Sequence, residues 1–221
     1  KKDSLTNKLD IIQTYIDECR ANDISIVLWV CVFSGSFADS NSEWLTLTNK
    51  GTVHTDKFLS PANNEYRKYY MDYIKFILNK YDIDGLQLDY IRYPQFYNNI
   101  DCGYDDATIK LFEEKTGNGA NVVKEIGQKL TGHSKWKTWW NFKTELVNSW
   151  VSEIYSIVKE HYPSKLKLPK WAYHAYASEY IAIKEFGIKD KSILVFVLIN
   201  KYLIPFNAVV ISKNPFIIFL I

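Results

Sequence analysis

"YDIDGLQLDYIRYP", Tyr81 to Pro94, opens like a buried strand and ends in an aromatic, basic tail stopped by proline. Asp84-Gly85 supplies the turn into it. Side chains alternate along a strand, so Leu86, Leu88 and Tyr90 share one face while Gly85, Gln87, Asp89 and Ile91 share the other. In a parallel barrel the leucine face meets the surrounding helices and Gln87 and Asp89 point inward. Asp89 then stands at the C-terminal end of its strand, where barrel enzymes assemble their active sites. An unpaired buried carboxylate is too costly to tolerate. Asp89 is therefore read either as a catalytic acid or as a structural one, hydrogen-bonded or paired with Arg92. Asp84, at the opposite end, is read as a turn cap.

Working outward, "LSPANNEYRKYY" leads into a helix starting near Asn63 or Asn64, with Tyr66, Tyr70, Tyr73, Ile74, Ile77 and Tyr81 along one stripe. Upstream, Leu5, Leu9, Ile12, Ile16 and Cys19 recur at helical spacing, with Asp3 or Ser4 as the expected N-cap and an end near Asn22. Between the two helices, "DISIVLWVCVF" (Asp23 to Phe33) reads as a strand buried on both faces. Helix, strand, helix, strand implies right-handed parallel units. Beyond the opening stretch, about Gln95 to Lys135 forms a long excursion holding one short helix, "DDATIKLFEEKTG", with Gly117 as its C-terminal cap. A strong amphipathic helix follows from about Asn141 to His161, and "KLKLP" (Lys165 to Pro169) is the next candidate strand.

Composition removes several classes of function. Twenty-seven basic and 25 acidic residues leave a net charge of +2, which favours neither nucleic acid nor an anionic surface as partner. Cys19, Cys31 and Cys102 are odd in number and lack ligand spacing, so neither a disulfide framework nor a zinc site is expected. No GxGxxG, GxxxxGK[ST] or GxSxG pattern is present, and no cofactor or metal is expected. The last segment is almost wholly apolar, yet its longest unbroken run, Ile193 to Ile199, falls well short of the ~18–20 residues of a membrane span. Membrane insertion is accordingly the weakest of the readings. A start at Lys1 without a charged and then apolar stretch leads us to expect a leader that is absent or already removed. Oligomeric state leaves no mark in the sequence.

The opening stretch, together with "LWVCVF", the "EW" of the following loop and "LSPANNEYRKYYMDYIKFIL", resembles the glycosyl-hydrolase-like 10 family, which is distinct from the family-10 xylanases. The resemblance runs from about Leu9 to Pro169 and rests chiefly on the D-G-[hydrophobic]-x-[hydrophobic]-D-Y-x-R-Y-P string; it fades beyond about Lys170. It implies an α/β fold of the (β/α)8 TIM-barrel type, incomplete in this chain, with a long insertion after the fourth strand. "ISIVLWVCVF" becomes the third strand and "LKLP" the start of the fifth, which puts the first two strands before Lys1. Residues 1–190 are then a partial catalytic barrel and 191–221 an apolar segment of open status. A carbohydrate substrate and a secreted or extracellular setting are further implications.

The resemblance makes Asp89 the expected catalytic carboxylate. Glycoside hydrolysis usually employs two, and Glu43, in the loop after the "LWVCVF" strand, is the candidate partner; an exposed, solvated glutamate is its alternative. Candidate sugar contacts are Trp29, Trp44, Gln87, Tyr90, Arg92, Tyr93 and His174. For Trp29, core packing competes with a platform role. A glycoside hydrolase is the leading reading, and a non-catalytic carbohydrate-binding or structural barrel remnant stands beside it.

Overall fold

The computed structural model describes residues 10–34, 38–39 and 41–161, with the backbone of 209–211 and 216–220. The expected strand at 165–169 and His174 lie outside the described residues. The chain divides into two compact units, one formed by residues 1–30, 75–89 and 161–221 and the other by 31–74 and 90–160.

In the first unit, α1 (Ile11–Ala21) buries Ile16 and Cys19. Its N-cap is Asp10; the expected caps Asp3 and Ser4 lie outside the described residues. The Asp10 carboxylate accepts the Gln13 N–H at 3.2 Å, satisfying one of the donors that a helix start leaves open, and its carbonyl accepts the first intrahelical bond, from the Thr14 N–H at 3.0 Å. Strand β1 (Ser25–Cys31) seals Ile26, Leu28 and Val30, whereas Val27 and Trp29 are half-buried. The expectation of burial on both faces is thus met on one face only. Helix α2 (Asn64–Lys80), of which residues 75–80 belong to this unit, leads to β2 (Gly85–Asp89), which lies beside β1 and buries Leu86 and Leu88. Strand β4 (Phe216–Leu220) runs parallel to β1, with Ser25 opposite Phe216 and Trp29 opposite Leu220, and β3 (Val209–Ile211) pairs antiparallel to β4. The sheet order is β2-β1-β4-β3. Among the described residues these four strands form one sheet and no closed barrel, so the fold shown is α/β.

Three helices of the second unit follow β2: α3 (Asp106–Thr116), α4 (Ala120–Lys129) and α5 (Trp136–His161). Asp105 caps the first of them, and Gly117, at φ 71°, ends it by donating to the Glu113 carbonyl at 2.8 Å. The expected long loop is therefore largely helical. Helix α4 escapes the sequence reading because Gly119 offers no side-chain cap and Gly127 reads as a breaker. Gly127 is instead a close-approach position, since a Cβ there would sit 2.9 Å from Tyr104 Cε1 and 3.3 Å from Asn49 Cβ. Helix α5 begins five residues ahead of its expected start, as Trp136 and Trp139 extend the stripe. Trp139 meets Phe112 edge-on at 4.9 Å within a core shared with Ala62, Val123, Ile126, Phe142 and Leu146.

A second aromatic core joins α2 to α5. Phe33 packs edge-on against Trp150 at 4.9 Å, and Tyr66 and Tyr70 lie alongside it. Their polar atoms are satisfied by backbone: Tyr66 donates to the Val32 carbonyl, Tyr70 to that of Cys31 at 3.0 Å, and Trp150 Nε1 to that of Pro61 at 2.8 Å. Burial pushes both phenols well above their ordinary range. Asn63 starts α2 as expected, its side-chain oxygen accepting the Tyr66 N–H at 2.8 Å. Among the described residues no helix is long and apolar enough to cross a membrane.

Candidate functional site

Strand β2 alternates as the sequence predicts until Asp89. Gly85, Gln87 and Asp89 are half-buried opposite the sealed leucines. The other end of the strand is structural. Asp84 Oδ2 accepts the Ile26 N–H at 2.7 Å and Arg20 Nη1 at 2.7 Å, while the Asp84 N–H donates to the Ile26 carbonyl at 2.9 Å. Arg20 also donates to the Asp82 carbonyl at 2.8 Å. Asp84 therefore locks the strand entrance, in keeping with its reading as a cap, and Asp89 occupies the C-terminal edge. Trp29, on β1, is half-buried with its indole N–H sealed from solvent and without a hydrogen-bond partner among the described residues.

At Tyr90 the alternation breaks. Its φ of 49° is left-handed, its side chain is 36% exposed instead of sharing the leucine face, and Ile91 is the residue that becomes buried. The reason lies far upstream in the chain: the Tyr90 carbonyl is turned to accept the Phe33 N–H at 3.2 Å. Tyr90 packs against Phe58 with ring centroids 5.8 Å apart, and the Arg92 guanidinium lies 5.6 Å from each of the two centroids. Arg92 Nη1 donates to the Tyr93 carbonyl at 3.3 Å. Tyr93 itself turns its hydroxyl into the interior, where burial pushes the phenol well above its ordinary range. It supports the loop from within, whereas Tyr90 and Arg92 face outward in part.

Glu43 lies in the 3-10 turn Ser42–Trp44 and is exposed; its carbonyl accepts the Asn63 amide at 3.3 Å. Trp44 is half-buried, its ring 5.4 Å from that of Tyr66 and 5.5 Å from that of Tyr69, with its indole N–H sealed. Glu43, Trp44, Tyr90, Arg92 and Tyr93 belong to the second unit, and Trp29, Gln87 and Asp89 to the first.

Two buried acids escape the sequence reading. Asp101 receives Lys143 Nζ at 2.6 Å and Trp139 Nε1 at 3.1 Å, and Lys143 also donates to the Cys102 carbonyl at 2.9 Å. Both partners of this ion pair are nearly sealed, with side chains 4% and 3% exposed. Burial draws the Lys143 amine below its ordinary range while Asp101 pulls it back. Asp105 takes hydroxyl donors from Thr46 (2.9 Å), Ser60 (2.8 Å) and Thr108 (2.9 Å), besides capping α3. Both acids are saturated by protein and hold the excursion in place. A signal for the first existed: Lys143 sits between Phe142 and Leu146 on an apolar stripe, which demands a buried counter-charge.

An α/β domain with an acid at the C-terminal edge of a strand is consistent with part of a glycosidase-like domain, and the comparisons with known proteins point the same way. The family model described as Glycosyl hydrolase-like 10 matches residues 3–182. An S-layer-related protein from Niallia circulans is 23% identical over 228 residues, a match covering 84% of this chain and 14% of that protein. The chain thus spans about 14% of the length of this curated relative. It belongs to the Glycosyl hydrolase-like 10 family.

Proposed function

We propose that this chain contributes part of a (β/α)8-type barrel hydrolysing glycosidic bonds in a poly- or oligosaccharide, with Asp89 as one essential carboxylate. The observation that carries the reading is the position of Asp89: last residue of β2, on the half-buried face, with the strand's other acid committed to structure. A carboxylate there can protonate the leaving oxygen or attack the anomeric carbon, according to its separation from a second carboxylate, ~5–5.5 Å for retention and ~6.5–9.5 Å for inversion. Glu43 is the proposed partner. Tyr90 and Arg92 are proposed to bind the sugar; three residues of chain keep the Arg92 Cα within roughly 11 Å of the Asp89 Cα whatever the backbone path. Gln87 and Trp29 are proposed to line the inner face.

The test is sugar release from polysaccharides by the parent and by Asp89→Asn. Loss of about 10²–10⁴-fold is expected; equal release by the two proteins ends the assignment. The exposure of Glu43 favours a second reading, a non-catalytic carbohydrate-binding module. That reading predicts no release by either protein and undiminished glycan binding by both.

A further inference from the structure

The chain has three arginines. Arg20 pairs with Asp82 and Asp84, and Arg67 pairs with Glu153 at 2.6 Å while donating to the Ser149 hydroxyl and carbonyl. Arg92 differs from both. Its one hydrogen bond among the described residues is a long one to a neighbouring carbonyl, and no carboxylate lies within 4.0 Å of it there. A guanidinium carries five N–H donors in a planar fork, so most of its capacity is unspent. Nor is it an ordinary solvated surface arginine: it is half-buried and lies over the packed pair of Phe58 and Tyr90 rings, 5.6 Å from each centroid.

The clamp depends on an uncommon backbone. Tyr90 takes φ 49°, a region that bulky side chains rarely enter, and by doing so presents its ring beside Arg92. Such outliers cluster where a ligand is held. Phe58 is fully buried and fixed, with His54 edge-on at 6.0 Å. The guanidinium is therefore pre-oriented, partly stripped of water and, among the described residues, without a neutralising carboxylate, which is the state in which it selects an anion over a neutral hydroxyl. Its fork matches a planar carboxylate in bidentate fashion. Tyr90 beside it is 36% exposed, and an aromatic side chain suits the apolar side of a sugar ring.

We infer that Phe58, Tyr90 and Arg92 form a subsite for a carboxylate-bearing sugar, so that the glycan recognised by this chain is acidic. The inference rests on the proposed carbohydrate function and deepens it. Sulfated sugars share the negative charge but spread it over three tetrahedrally arranged oxygens instead of one coplanar pair, and the experiment separates the two.

The full chain is titrated by calorimetry with uronic-acid oligosaccharides (glucuronate, galacturonate and mannuronate series), their methyl esters, and sulfated neutral oligosaccharides of equal length. The parent should bind at least one acid form about tenfold more tightly than its own ester and than the sulfated series. Arg92→Gln should abolish the preference, and Arg92→Lys, which keeps the charge but loses the fork, should retain a fraction of it. Equal binding of acid and ester throughout the panel, including no binding of either, overturns the inference. So does a preference for sulfate, or an acid preference that survives in a folded Arg92→Gln protein. The acid-to-ester ratio is measured on the parent alone, so it stands even where a substituted protein misfolds. Asp89→Asn should keep the ratio while losing release, so the subsite and the catalytic reading can fail separately.

Discussion

Asp101 and Arg92 stand nine positions apart in one unit, both charged and both close to aromatic rings, yet they are treated in opposite ways. Asp101 is 3% exposed and saturated: Lys143 and Trp139 donate to it, and Lys143 lies 5.2–5.4 Å from the ring centroids of Tyr93, Trp139 and Trp140. Arg92 is half-buried, has one weak bond, and keeps the rest of its fork uncommitted among the described residues. The contrast separates architecture from function. A charge whose whole complement is met inside the protein holds the fold. One that is oriented but left unmet among the described residues is the one we propose to meet a ligand.

Substitutions should grade this contrast. The largest expected effect falls on the sealed pair: Asp101→Asn or Lys143→Met leaves an uncompensated buried group and should destabilise by about 3–5 kcal/mol in urea titrations. Replacing both partners at once should cost much less than the sum, and additive losses would show that the two act independently. Next comes Asp105→Ala, which strands three hydroxyl donors and uncaps α3; about 2–3 kcal/mol is expected by the same measurement. Arg92→Gln should cost about 1 kcal/mol or less, the value of its contacts with Phe58 and Tyr90. A loss as large as that of Asp101 would place Arg92 with the architecture and erase the contrast.

A comparably small effect concerns the start of α1 in the other unit. The Lys80 ammonium, 2.6 Å away, holds the Asp10 carboxyl below its usual 3.8, helped by the Gln13 N–H and the Tyr81 hydroxyl, and Asp10 in turn pushes Lys80 up to about 12. For a depressed carboxylate, the stabilisation is complete above its unfolded value and fades as the pH falls through the folded one. For the raised ammonium, it is complete below 10.5 and fades as the pH climbs through about 12. Asp10→Ala should therefore lower stability by about 1 kcal/mol at neutral pH. The gap in melting temperature between parent and variant should narrow toward pH 3 on one side and toward pH 12 on the other.

Local pattern carried most of the fold. Periodicity located α1, β1, α2 and β2, and the Asp105 to Gly117 frame located α3, because each signal is contained within one element. Where a distant partner decided the outcome, the sequence was silent. Gly127 looks like a breaker until Tyr104 and Asn49 are packed against it. Tyr90 continues the alternation on paper, and only the Phe33 amide, far upstream, explains why it leaves the leucine face. The site divides along the same line. Asp89 was legible as a strand-end acid, whereas the clamp on Arg92 needs Phe58, 34 positions earlier, and no spacing rule joins them.

The crowding of indoles around α5 has an optical consequence. Of seven tryptophans, Trp44, Trp136, Trp139, Trp140 and Trp150 lie in the second unit, and Trp139 and Trp150 are fully enclosed. Emission from the intact protein is therefore weighted to that unit, while far-ultraviolet ellipticity samples the helices of both. Overlaying the two denaturation curves asks whether the halves come apart in a single cooperative event or in succession.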